Sequence, residues 1–151
     1  MILELIWQAA MAGVATLCFA VLFCVPKKHW LACGVNGAVG WAVYAAMLLA
    51  QPSKPVAALV AGLALTLLAR GFAIGQKAPV TVFLVCGIFP LVPGAGIYYT
   101  AYYFIQGNSG LSSLKGVETI KVALALALSM AIVLGLPLPR SRCPAENHEI
   151  K

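Results

Sequence analysis

The chain has 151 residues, of which 62% are hydrophobic and 9% charged, and its mean hydropathy is +0.97. Soluble domains carry roughly a quarter charged residues, so composition excludes that class and indicates an integral membrane protein. The formal charge of +6 comes from basic residues scattered singly among connections, which argues against a nucleic-acid partner and reads instead as a topology signal.

With about 20 residues per crossing, the expected fold is an all-α bundle of about five transmembrane helices, residues 1–136, followed by a polar tail, 137–151. The spans are expected at about 5–25, 30–50, 56–74, 79–105 and 114–135. The first apolar run follows Glu4 and lacks a basic leader, so it reads as a retained helix rather than a signal peptide. Pro26 is expected to stop it, and Lys27, Lys28 and His29 form a basic turn. His29 reads as an interfacial side chain beside the lysines, too shallow for a proton relay.

Trp30 opens the second span, where Gly34, Gly37 and Gly40 drift slowly around one face. Small residues let helix backbones approach closely in lipid. Asn36 lies among them, and a buried amide needs partners: it either hydrogen-bonds a neighbouring helix or points into a substrate pathway. Gln51 to Pro55 is a tight connection. The third span runs from about Val56 to Ala69 and Arg70, extending at most to Ile74, and is short. Gly75, Gln76 and Lys77 make the next turn.

The stretch from Pro79 to Gly107 is long and apolar enough to cross a bilayer, yet it holds Pro90, Pro93, Gly94 and Gly96 near its middle. Proline removes a backbone donor and clashes with the preceding turn, and glycine weakens a helix further. The expectation is two half-helices, Val80 to Phe89 and about Gly96 to Ile105, broken at Pro90-Leu91-Val92-Pro93-Gly94. Freed backbone groups in hydrocarbon must be buried in protein or line a wet cavity, and broken helices of this kind form substrate sites in secondary transporters. A proline-kinked helix without a ligand is the plainer reading. The donors at the start of the second half-helix suit a carboxylate, and Gly94 and Gly96 let a ligand approach the backbone. Tyr98 is the candidate ligand-facing hydroxyl, whereas Tyr102 and Tyr103 read as an aromatic belt.

Gln106 to Ser113 reads as a loop, and the last helix is expected from about Leu114 to Gly135. Thr119, Ala123, Ala127, Ala131 and Gly135 form a small-residue stripe. Glu118, Val122, Ala125 and Ser129 lie along another narrow arc. Glu118 has two readings: a carboxylate paired with Lys121 near a helix start, or a proton-exchanging group beside the broken helix. The tail from Pro137 to Lys151 is polar and expected to be disordered.

With five crossings, Lys27, Lys28, Arg70, Lys77, Arg140, Arg142 and Lys151 share one side and Lys54, Lys115 and Lys121 the other, seven against three. That favours an outside N-terminus and a cytoplasmic C-terminus. A re-entrant 79–105 would leave six against four. Cys18, Cys24, Cys33, Cys86 and Cys143 include no CxxC pair and have no acidic or histidine companion at ligand spacing, so no metal or other cofactor is expected. No Ser/His/Asp set, no paired carboxylates and no aspartate are present, and an enzyme is not expected.

FLVCGIFPLVPGAGIYYT, preceded by QKAPVT and followed by IQGN and GVET, resembles the threonine/serine exporter family, specifically short proteins similar to the exporter's second membrane half. FAVLFCVPKKHWLACGVNGAVGW resembles the family's first turn and its glycine-bearing second helix. Two departures stand out: Cys24 where the family often has Asn, and Leu68 before Ala69 and Arg70 where an acidic residue is common. The resemblance implies an inner-membrane secondary exporter of small amino or carboxylic acids, working with a companion membrane subunit that resembles the first half. The alternatives are a structural or assembly subunit, or a channel lined by the broken helix.

Overall fold

In the computed structural model the described residues are 2–50 and 53–136. The polar tail, with Arg140, Arg142, Cys143 and Lys151, and the connection residues Gln51 and Pro52 lie outside them. Six helices follow in order: α1 (Ile2–Leu22), α2 (Trp30–Leu49), α3 (Lys54–Gln76), α4 (Val80–Ile88), α5 (Gly94–Ile105) and α6 (Ser109–Gly135). Short 3-10 turns, Lys27–His29 and Phe89–Leu91, precede α2 and follow α4. Four helices are long and apolar enough to cross a membrane, and α4 with α5, bent by 45°, are so when taken together. The protein is an all-α membrane bundle.

Side-chain contacts fix the helix directions. Gly13 packs against Ala38 and Leu17 against Gly34, so α1 and α2 are antiparallel. Lys54 meets Glu118, Gly62 meets Ser129, and Arg70 reaches Val133 and Leu136, so α3 and α6 are parallel. Two parallel helices require an odd number of crossings between them. The bent pair therefore crosses completely, and a re-entrant loop is excluded. Gly96 beside Thr119 and Gly116 beside Thr100 place α5 antiparallel to α6, as a full crossing requires.

Packing is close because small residues face each other. A side chain at Gly37 would overlap the Thr16 hydroxyl, and a Cβ at Gly40 would lie 2.7 Å from Leu65 Cδ1. The α2 glycines thus serve two neighbours, α1 and α3. On α6 the arc Val122, Ala125, Leu126 and Ser129 is buried against the bundle. The stripe Ala123, Ala127, Ala131 and Gly135 faces outward instead. Two fully buried hydroxyls return to their own helix: Thr16 donates to the Ala12 carbonyl at 2.8 Å and Thr66 to the Gly62 carbonyl at 2.7 Å, which satisfies them without a partner helix.

Several boundaries differ from expectation. The third helix runs from Lys54 to Gln76 and is full length. It tolerates Arg70 because the guanidinium donates to the Val133 and Leu136 carbonyls in the last turn of α6, where helix carbonyls run short of intrahelical donors; Val133 also accepts from the Leu136 N–H at 3.3 Å. The last helix begins at Ser109, not Leu114, because Asn108 Oδ1 accepts from the Leu111 N–H at 3.3 Å and caps it. α1 ends at Leu22, before Pro26: the Val25 N–H bonds the Ala20 carbonyl at 2.9 Å and the Cys24 N–H bonds the Val21 carbonyl at 3.0 Å, with Cys24 left-handed at φ 54°. This is a Schellman closure. His29, in the connection between α1 and α2, is buried against the protein rather than exposed beside the lysines; its Nδ1 bonds Gln76 Oε1 and its ring stands edge-on to Phe83 at 5.5 Å.

Candidate functional site

The break in the fourth span begins with proline geometry. Phe89 remains helical at φ −53°, ψ −42° although Pro90 follows it. Val92, which precedes Pro93, is extended at φ −60°, ψ 129°. A residue before proline is driven out of the helical region, so Pro93 makes the break and Pro90 tightens the turn before it. Pro93 itself, at φ −75°, ψ 56°, forms an inverse γ-turn in which the Gly94 N–H bonds the Val92 carbonyl at 2.7 Å. Ile97 N–H bonds the Pro93 carbonyl at 3.1 Å. Between them, the N–H groups of Ala95 and Gly96 have no backbone acceptor among the described residues.

The bend opens a cleft of about 510 Å³. Residues 90–96 line it, with Trp41 and Tyr44 from α2, Lys54 from α3, Tyr99 from α5, and Lys115, Glu118, Thr119 and Val122 from α6. It lies in the half of the bundle where α1 begins, since α2 and α5 end and α3 and α6 begin there. α4 stays packed between α2 and α3 while α5 leans away onto α6, and the angle between them leaves the space.

Pro90, Pro93, Gly94, Gly96 and Glu118 are thus brought together. Gly94 and Gly96 differ: a Cβ at Gly94 would meet nothing within 4 Å, whereas one at Gly96 would press into the Thr119 hydroxyl. Tyr98 is not at the cleft; it is 61% exposed on the outer face of α5. Tyr99 takes that place because it follows Gly96 by three residues and so shares its face. Asn36 is also elsewhere. It is fully buried between α2 and α4, where Nδ2 donates to the Phe83 carbonyl at 3.1 Å and a Cβ at Gly87 would lie 2.6 Å away. Its amide joins the two helices, and Oδ1 has no hydrogen-bond partner among the described residues.

Glu118 does not pair with Lys121. Its Oε1 lies 2.9 Å from Lys54 Nζ and its Oε2 3.5 Å from Lys115 Nζ. Lys121 lies beside it without an ion pair among the described residues, lining grooves shared with Pro55, Val56 and Leu59 and with Lys54 and Glu118. Because α6 begins at Ser109, Glu118 sits well past the first turn, where the helix dipole has faded. A capping role is therefore removed.

Trp41, Tyr44, Lys54 and Lys115 were missed by sequence reasoning. Trp41 and Tyr44 are three apart on one face of α2, with ring centroids 5.6 Å apart, a spacing that was readable. The buried Trp41 Nε1–H has no acceptor among the described residues.

A family model described as Threonine/Serine exporter, ThrE, matches residues 8–135. The chain belongs to the threonine/serine exporter family. No similar curated protein and no similar solved structure was found. The exporter-family match spans every residue of the cleft, so the cleft belongs to the part shared with a family of membrane transporters. One departure noted in the sequence gains a backbone reason. Cys24, where the resemblance leads to an expectation of Asn, has the left-handed conformation that Asn adopts more readily than most residues.

Proposed function

We propose that this chain is a subunit of a secondary exporter of small amino or carboxylic acids, and that the cleft at the broken helix is its substrate site. One observation carries the reading: the break forms the floor of a 510 Å³ cleft that also collects two lysines, a glutamate and aromatic side chains. The free Ala95 and Gly96 N–H groups, at the positive end of the α5 dipole, would receive a substrate carboxylate. Gly94 leaves room for it against the backbone, and Tyr99 and Trp41 offer further polar contacts. Glu118 would exchange the coupling proton. Pro90 and Pro93 hold the half-helices apart, while Asn36 fixes α4 against α2.

α5 has no fully buried residue and packs mainly on α6, which supports a companion membrane subunit beside it. That subunit would supply the family's first half. The charge distribution favours an inner-membrane orientation with the N-terminus outside and the C-terminus cytoplasmic, so the cleft opens outward.

Counterflow in proteoliposomes tests transport. Liposomes loaded with unlabelled L-threonine should show transient, saturable accumulation of labelled L-threonine, whereas a non-saturating leak without exchange would identify a channel. For orientation, in a background without native cysteines, Ser53→Cys should react with an impermeant maleimide added outside and Lys77→Cys should not. The reverse pattern inverts the model.

A further inference from the structure

Lys54 and Glu118 are the residues that line both the cleft and a second groove, of about 560 Å³, on the outer side of the same ion pair. The pair is therefore the wall between the two spaces. It joins α3 to α6, and its side chains are 53% and 37% exposed, so water and small solutes reach it. Glu118 has a second cation, Lys115, on its own helix at 3.5 Å. If α3 and α6 separate, the Lys54 contact breaks but the Lys115 contact survives. Glu118 is thus never stranded when Lys54 leaves, and the cleft then presents one cation with no protein counter-ion.

We propose that Lys54 is a carboxylate-binding residue of the cleft, and that Glu118 is an internal stand-in which the substrate's carboxylate displaces. Displacement transfers Glu118 to Lys115 alone, removes the wall, and connects the cleft with the outer groove. Ligand arrival and opening are then a single exchange of carboxylates on one ammonium group. An exposed ion pair contributes at most about 1 kcal/mol, so a ligand with little binding energy suffices to replace it. This inference rests on the transport reading of the cleft, because it names the group that recognises the transported acid.

The test is calorimetric titration of the full chain in lipid nanodiscs with L-threonine, with propionate, which keeps only the carboxylate, and with L-threonine methyl ester, which lacks it. Glu118→Gln removes the competitor and should tighten both acids by about three- to five-fold, the range an exposed ion pair allows. Glu118→Asp, which shortens the reach to Lys54, should act in the same direction. In the Glu118→Gln background, where nothing competes for the ammonium, Lys54→Gln should weaken both acids by about three- to five-fold, with Lys54→Arg restoring most of the loss, and the ester should respond to none of these changes. Equal or weaker acid binding by Glu118→Gln, or unchanged binding by Lys54→Gln in that background, overturns the proposal. Saturable counterflow with affinities unchanged in every variant overturns the exchange and leaves the transport reading standing. Tighter binding in Glu118→Gln without counterflow supports the exchange and removes the transport reading. No binding of either acid by parent, Glu118→Gln and Glu118→Asp overturns both.

Discussion

The two halves of the broken span are built to opposite ends. α4 buries Phe83, Leu84, Cys86 and Gly87 between α2 and α3, and the Asn36 amide is bonded to its backbone. α5, which is richer in tyrosine, buries no residue fully and leans on α6 through Gly96 and Thr100, the Thr100 carbonyl accepting from the Ser112 hydroxyl. Proximity in sequence therefore conceals a division of labour: the first half belongs to the scaffold and the second is a wall of the cleft. A break in a membrane helix is therefore not symmetric. One side must be held firmly if the other is to stand away from the bundle.

The largest effect is expected from erasing that asymmetry. Replacing Pro90 and Pro93 together by Ala restores backbone donors and frees Val92 to become helical. Proline costs about 3 kcal/mol relative to alanine inside a helix, so the fourth span should become continuous. Membrane insertion should stay normal while export is lost, because the cleft floor and the free N–H groups vanish. Pro93→Ala alone should reproduce most of this loss and Pro90→Ala much less, since Val92 is the residue that leaves the helix. Unchanged export by the double variant would reduce the break to a packing detail.

Two glycine substitutions compare the halves directly. Gly87→Ala on α4 would bring a methyl to 2.6 Å from Asn36 Nδ2, and overpacking of that kind costs about 1–3 kcal/mol. A lowered unfolding temperature in detergent is the expected readout. Gly94→Ala, with nothing within 4 Å, should leave that temperature unchanged and still weaken L-threonine binding by filling the cleft. If both variants behave alike, the scaffold-and-wall division fails.

How much of this could be read beforehand depends on how local the cause is. The spans follow from composition, and the break follows from the Pro-Leu-Val-Pro-Gly chemistry acting within a few residues. The membership of the cleft does not. Lys54 reaches Glu118 only because α3 and α6 run parallel, a tertiary fact invisible in either segment. Choosing between Tyr98 and Tyr99 needed the phase of α5, which its first turn sets. His29 illustrates the same limit: its neighbours in sequence are lysines, but its neighbours in space are Gln76 and Phe83.

Glu118→Gln is expected to have a narrower effect, on coupling rather than on fold. The ion pairs it removes are partly exposed and contribute at most about 1 kcal/mol, so thermal stability should barely change. Exchange of L-threonine across proteoliposomes should persist, because the cleft and the free N–H groups remain. Uphill export should be lost, since no titrating carboxylate faces the cleft. Export against a gradient at the parent's rate, at matched protein, would remove Glu118 from coupling.

The smallest effect concerns the turns that set α4 in place. α1, α3 and α5 each end on a left-handed residue, but only α5 uses glycine, Gly107 at φ 75°; the others use Cys24 at φ 54° and Lys77 at φ 50°. Left-handed backbone costs most side chains about 1–2 kcal/mol, and Asn relieves part of it through local hydrogen bonding. The Cys24 closure places Val25 against the buried Ala20 and directs the chain toward the His29–Gln76 contact, so it contributes to the scaffold half. Cys24→Asn should keep the same closure with less strain and raise stability by about 0.5–1 kcal/mol, a rise of a few degrees in unfolding temperature. Gly107→Ala, introducing a side chain at the corresponding position after α5, should lower it by a similar amount. If Cys24→Asn lowers the unfolding temperature, the thiol makes a contact that outweighs the backbone preference, and the closure of α1 is held by packing rather than by its left-handed residue.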